Sequence, residues 1–231
     1  MIYITGDTHI PIDIHKLSVS NFPEQKLLTK KDYVIICGDF GGVWNHSAEE
    51  IYWLKWLNDR SFSTLFVDGN HENFNILNSC YPVENYLGGK VHRIMSTIDH
   101  LMRGQIFEID GLKFFIMGGA ESHDKRYRKE GKSWWYQEMP SDDEYDLAIK
   151  NLDRHNWKVD YIITHCAPDS IQNEIDDCYE HNKLTNFLER VKTNCQYKQW
   201  YFGHYHIDKD IDEKHIAVYN NIRFLSNNKI N

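Results

Sequence analysis

Short apolar runs alternate with amphipathic stretches along the whole chain. Residues 2–5, 33–37, 65–67, 112–117, 161–164 and 200–202 are β-branched or aromatic, and most run directly into a glycine. Apolar runs this short predict strands buried on both faces. Between them, helices announce themselves by their starts. Ser47-Ala48-Glu49-Glu50 and Ser141-Asp142-Asp143-Glu144 both match the capping box, in which a hydroxyl and a carboxylate each satisfy the other's orphan N–H. Ile51, Leu54 and Leu57 continue the first as an apolar stripe at helical spacing; Leu147, Ile149 and Leu152 continue the second less regularly. Shorter helices are expected over 74–77 and 184–191. A hairpin turning at Asn220-Asn221 is expected to join 216–219 to 222–225, and the polar tail 226–231 to fray.

Strands alternating with helices imply an α/β architecture with layered sheets, and in such folds the loops leaving the carboxyl ends of strands form the binding crevice. The 231 residues contain no Gly/Ser/Pro-rich linker and no internal repeat, so one domain spanning 1–231 is expected. Hydrophobic residues at 41% and charged residues at 26% are ordinary for a globular chain and far from the composition of disorder. The formal net charge of -8 argues against a dedicated nucleic-acid binder, which needs a basic surface. Five cysteines at 37, 80, 166, 178 and 195, with no C-x-x-C, support neither a disulfide framework nor a zinc finger. A reducing cytoplasm is the expected compartment. Nothing approaches the roughly 18 consecutive apolar residues of a membrane span, and removal of a signal peptide of ~15 residues or more would discard Asp7, the first candidate ligand.

The candidate chemistry sits in five clusters, four of them where an apolar run ends: Asp7-Thr8-His9, Gly38-Asp39, Gly69-Asn70-His71-Glu72, Thr164-His165 and Gly203-His204-Tyr205-His206. Two carboxylates, one amide and several imidazoles make the mixed O/N set that suits divalent cations. Asp7 and His9 would share one side of an extended segment and so reach one ion. His204 and His206, also two residues apart, could reach adjacent ions. Each cluster has an ordinary structural use when taken singly: a surface loop for Asp-x-His, a turn for Asp39, a core histidine for His165. Five in this order, each near a strand end, are not explained by those uses. Together they point to hydrolysis of a phosphate ester.

With these motifs from Gly6 to His206, the chain resembles the calcineurin-like metallophosphoesterases, whose pattern runs D-x-H, G-D-x-x-D, G-N-H-E/D, H and G-H-x-H. The resemblance implies a four-layer α/β/β/α sandwich with two metal ions at strand ends. It implies that Asp7, His9 and His206 hold the first ion, that Asn70, His165 and His204 hold the second, and that Asp39 bridges both. Each ion would keep room for a bridging hydroxide, the attacking group, and a substrate oxygen. His71 is left as a non-ligand suited to protonating the leaving oxygen, and Glu72 as an orienter of the ligands. Mn²⁺ is the first expectation for a thiolate-free site, with Fe, Ni or Zn as alternatives.

The pattern departs from the family at Gly42 and Val43. The carboxylate that often follows three residues after the bridging Asp, and the Arg that follows it in the protein-phosphatase branch, are both missing. That weakens the protein-phosphatase reading and favours a phosphodiester, of a nucleotide or other small molecule, over a dianionic monoester. Residues 123–132 are locally basic and run into Trp134-Trp135-Tyr136. In one reading Arg126 or Arg128 contacts phosphate and Trp134 stacks on a base; in the other this is a solvated charge run closing on core aromatics. The rival functions are a nuclease of the same family, which needs an extended basic or aromatic track, and a non-catalytic metal-binding interaction scaffold. Trp53 and Trp56 read as core, and Cys166 as no nucleophile.

Overall fold

A computed structural model describes residues 1–225; the tail 226–231 lies outside the described residues. In chain order the elements are β1 (Ile2–Thr5), β2 (Tyr33–Ile36), α1 (Ala48–Asn58), β3 (Ser63–Phe66), α2 (Phe74–Cys80), β4 (Val83–Tyr86), β5 (Gly89–Met95), β6 (Ile98–Leu101), β7 (Gln105–Ile109), β8 (Leu112–Met117), α3 (Asp142–Arg154), β9 (Tyr161–Thr164), α4 (Asp169–Ile175), α5 (Lys183–Asn194), β10 (Gln199–Phe202), β11 (Lys209–Asp210), β12 (His215–Ala217) and β13 (Arg223–Phe224). They form two mixed sheets, ordered β13-β1-β2-β3-β6-β5-β4 and β11-β12-β10-β9-β8-β7. This is the α/β class expected. Among the described residues no helix is long and apolar enough to cross a membrane.

The strands that lead into the candidate clusters pair in parallel, β1 with β2 and β2 with β3 in one sheet, β9 with β10 in the other. Their carboxyl ends therefore point the same way within each sheet. Successive residues of β2 divide between two cores, as pleating requires. Ile35 packs with Leu65, Ile116, Ile163 and Tyr201, residues of both sheets. Val34 and Ile36 pack instead with Leu54 and Leu57 of α1 and Phe74 and Leu77 of α2. A third cluster joins Phe115, Ile162 and Trp200 to Leu152, Ile171, Leu184 and Leu188 of the later helices.

Three local expectations change. Ser47 accepts from Glu50 N–H at 3.2 Å, but the Glu50 carboxylate turns to the N–H groups of Trp44, Asn45 and His46, so only half of the first capping box forms. The Ser141–Glu144 box forms fully. Ile51 is 42% exposed and leaves the α1 stripe to Leu54 and Leu57. The hairpin at Asn220-Asn221 does not form: β12 pairs with β10 and β11, while β13 crosses to the other sheet and pairs antiparallel with β1.

Candidate metal centre

The five clusters occupy the carboxyl ends of β1, β2, β3, β9 and β10 and meet where the two sheets come together. Ligand atoms of Asp7, His9, Asp39 and His206 all lie within 4.8 Å of one another. His9 Nε2 is 3.2 Å from Asp39 Oδ2, and His206 Nε2 is 3.7 Å from Asp7 Oδ1. Asp39 also faces the second group, its Oδ1 standing 3.3 Å from His165 Nε2. The same nitrogen is 3.3 Å from Asn70 Oδ1, and the His165 and His204 rings are 4.9 Å apart. Asp39 thus stands between the two sets.

Convergence does not come from strand alternation. Asp7 and His9 have φ of 45° and 36°, and His204 and His206 have 69° and 50°, so both pairs are turned inward by left-handed backbone past their strands. Backbone bonds lock these turns together: Asp7 N–H donates to Gly38 O at 3.1 Å, His9 N–H to Asp39 O at 2.9 Å, and His204 N–H to the Asp7 carboxylate at 3.0 Å. The approach is so close that two glycines are obligatory. A Cβ on Gly38 would lie 2.1 Å from His165 Nδ1, and one on Gly69 2.1 Å from Asp39 Oδ1.

Electrostatically the centre is a set of buried groups competing for protons. Burial pushes the fully buried Asp7 carboxyl up. Burial acts the same way on Asp39, but the charges and hydrogen bonds of His165 and His9 outweigh it and hold Asp39 well below the usual range. His204 is lowered to about 3 by burial and by the neighbouring His165. A divalent cation fits such a donor set, since it replaces the shared protons and accepts the converging lone pairs. Cys37 adds no thiolate: burial raises its thiol well above the ordinary value.

His71 donates its backbone N–H to Asp39 Oδ1 at 2.8 Å, which ties it to the centre while its ring lines a cleft of about 230 Å³. The cleft is also lined by Asn70, His204, His206, Ser122, His123, Asp124 and Arg128. Arg128 reaches it from residues 122–134, with Nε 2.7 Å from Asp124 Oδ1. Arg126 and Trp134 do not line the cleft: Arg126 lies over its neighbour Tyr127 at 4.7 Å, and Trp134 packs under Lys125 and against Tyr136. Glu72 is fully buried and accepts the N–H groups of Phe40 and Gly41 at 2.7 and 3.3 Å, fixing the loop after Asp39.

The gap at Gly42 has a steric cause. A Cβ there would lie 2.5 Å from the Phe40 ring and 3.0 Å from Ile10 Cδ1, and Phe40 is itself stacked on Phe66. Groups without a motif complete the surroundings. Ser122 Oγ accepts from the Asn70 amide at 3.3 Å, Asp13 meets His9 Nδ1 at 2.9 Å, and Tyr219 stacks on His206. Only the sequence proximity of Asp13 to His9 could have hinted at any of these.

The sequence model of the family described as calcineurin-like phosphoesterase matches residues 1–208 of the 231. No curated protein matches the chain.

Proposed function

The chain belongs to the calcineurin-like phosphoesterase family, and we propose that it is a dinuclear phosphodiesterase acting on a nucleotide or similar small phosphodiester. The observation that carries the metal-dependent part of this is the convergence of Asp7, His9, Asp39 and His206 within 4.8 Å; the second position is supported by the 3.3 Å approaches of His165 to Asp39 and Asn70. In this reading those residues hold the first ion, Asn70, His165 and His204 hold the second, and Asp39 is shared. Mn²⁺ suits the O/N donors best, with Fe, Ni and Zn compatible. When bound, the ions supply Lewis acidity toward a phosphoryl oxygen and a nucleophile at neutral pH.

The remaining work falls to the cleft. His71 is the proton donor to the leaving oxygen in this reading, a non-ligand imidazole on the cleft whose backbone N–H ties it to Asp39. Arg128 offers guanidinium donors to a phosphoryl oxygen, and Asp124 neutralises it, so the one ion pair that lines the cleft adds hydrogen bonds without net charge although the loop as a whole is basic. That balance suits a monoanionic diester better than a dianionic monoester. Lys125 lies over Trp134 and Arg126 over Tyr127, and none of the four lines the cleft, which supports a small substrate over extended nucleic acid. The five cysteines are free, two of them exposed, in keeping with a reducing cytoplasm.

A Mn²⁺-supplemented panel of aryl monoester, aryl diester, 2′,3′- and 3′,5′-cyclic nucleotides and single-stranded DNA tests the proposal. Chelator-sensitive turnover of the diesters, abolished in Asp39→Asn, is expected. Turnover confined to the monoester defeats the diester assignment, and none with Mn²⁺ or on repeating the panel with Fe, Ni and Zn leaves the scaffold reading in its place.

A further inference from the structure

Behind the first three ligands stands a tier of side chains that no metal motif contains. Lys16 is 8% exposed, in the short helical turn that follows His9. Its ammonium donates to the carbonyls of Gly6 at 2.8 Å, Asp7 at 3.1 Å and Tyr219 at 2.6 Å. All three ammonium protons are thereby used. The same nitrogen lies 4.6 Å from the centre of the Tyr219 ring, and that ring stacks on His206 at 4.8 Å and 12°. Asp13, three residues before Lys16, takes His9 Nδ1 at 2.9 Å. Tyr219 lies beyond the residues the family model matches.

Each first-position ligand therefore has its own support: Asp7 through its carbonyl, His9 through Asp13, His206 through Tyr219. The second set is supported differently. His165 Nδ1 bonds the Cys37 carbonyl at 2.9 Å and the Asn70 amide bonds Ser122 Oγ at 3.3 Å, both neutral partners. The difference has chemical content. A carboxylate on His9 Nδ1 fixes the tautomer that leaves the Nε2 lone pair free and makes that nitrogen a stronger donor. The carbonyls of Gly6, Asp7 and Tyr219 converge on one point, where they would repel one another without a cation. Lys16 is that cation, and it holds the Asp7 carbonyl beside the bonds that Asp7 makes to Gly38 and His204.

We propose that Asp13, Lys16 and Tyr219 are positioning residues that hold Asp7, His9 and His206 in ligating geometry and set the affinity of the first metal position separately from the second. The inference rests on the two-ion reading above. Loss of such outer partners typically costs about 10–100-fold in metal affinity, and here the loss falls on one ion of the pair.

Mn²⁺ titration by calorimetry, with electron paramagnetic resonance of the loaded protein, tests this on wild type, Asp13→Asn, Lys16→Met, Tyr219→Leu and, from the second set, Ser122→Ala. Wild type should bind two ions and give the signal of a coupled pair. The first three variants should weaken one site about 10–100-fold and show isolated Mn²⁺ at concentrations that fill both wild-type sites. Ser122→Ala should weaken the other site. If Lys16→Met does not fold, Asp13→Asn decides, because its side chain is partly exposed and the change keeps its shape. Equal weakening of both sites, or of neither, overturns the assignment while leaving the two-ion reading standing. A wild type that binds no pair of ions overturns both.

Discussion

Replacing Arg103 with Met tests the ion pair beneath the Gly69-Asn70-His71 turn. Arg103 and Asp68 side chains are 4% and 1% exposed. Arg103 Nε donates to Asp68 Oδ2 at 2.8 Å, its Nη2 reaches the same oxygen, and Nη2 also donates to the Gln137 carbonyl at 2.8 Å. The other Asp68 oxygen is 3.0 Å from His100 Nε2, whose ring stacks on His92. Methionine keeps most of the stem and removes the charge. Asp68 would then be a buried carboxylate with one imidazole partner, a state that costs about 3–5 kcal/mol. For a chain of this size each kcal/mol lowers the melting temperature by about 2–4 °C, which places the loss at about 6–20 °C. Thermal unfolding by circular dichroism reads it directly.

Two further arms identify the cause. Adding Asp68→Asn to Arg103→Met removes the stranded charge, so the double variant should melt above the single one. The pH dependence follows from the sign of the shift. Burial raises the Asp68 carboxyl, but the Arg103 charge and the His100 hydrogen bond prevail and hold it well below the usual range. A depressed carboxylate contributes stability that is present above its unfolded value of about 3.9 and is lost as pH falls through the folded value. Wild type should therefore lose stability on acidification below about pH 4, and Asp68→Asn should flatten that limb. The reasoning is refuted if Arg103→Met melts within about 2 °C of wild type, or if the double variant melts no higher than the single. Turnover should fall with stability, because the Asp68 carbonyl accepts the Gly119 N–H at 2.9 Å and Arg103 grips the segment carrying Glu138, which in turn accepts Ser122 N–H.

Restoring the family's carboxylate by Gly42→Asp should destabilise the fold by about 1–3 kcal/mol through overpacking against Phe40 and Ile10; unchanged melting with a faster rate would show that the position accepts it. His71→Ala should keep metal binding but lose about 10²–10⁴-fold in rate on poor leaving groups and much less on activated aryl ones, whereas a uniform loss would deny it the role of acid. Arg128→Met should raise KM for the diester and Arg126→Ala should leave it unchanged, since only Arg128 lines the cleft; equal effects would sink the assignment. Asp39→Asn should abolish turnover while the variant still folds, checked by circular dichroism beside the activity assay.

The strands visible in the sequence were those buried on both faces. Residues 33–36 and 161–164 are entirely buried, so no polar position interrupts the apolar run. The hairpin strands β4 and β5 went unread because β4 is the exposed edge strand and both are mixed: Val83 is 53% exposed, and β5 interleaves Lys90, His92 and Arg93 with its apolar residues. The error at Asn220-Asn221 has another source. The flanking segments do extend, but each finds its partner in a different sheet, and partner choice over more than two hundred residues has no local trace. Within the centre, the motif residues were legible and their supports were not. Asp13, Lys16, Ser122, Asp124 and Tyr219 are single residues of common type whose roles arise only from what the fold places beside them.

That contrast has a physical root in the backbone. Ten non-glycine residues have positive φ among the described residues, and five of them are Asp7, His9, Asp39, His204 and His206. Chains leaving parallel strands must turn at once if side chains from separate strands are to meet at one point, and the left-handed region supplies that turn. Most residues are strained there by about 1–3 kcal/mol; glycine is not, but it carries no ligand. Asp, Asn and His are the side chains that enter this region most readily, and they are also good ligands for hard and borderline cations. Two independent demands therefore select the same residue types at the same positions. A third, the close approach of the neighbouring loop, selects glycine one position earlier at Gly38 and Gly203. The metal motif is specific because three constraints write it together. An outer partner such as Lys16 answers only one, the need of three carbonyls for a cation, and a single constraint leaves too little pattern in a sequence to be read without the fold.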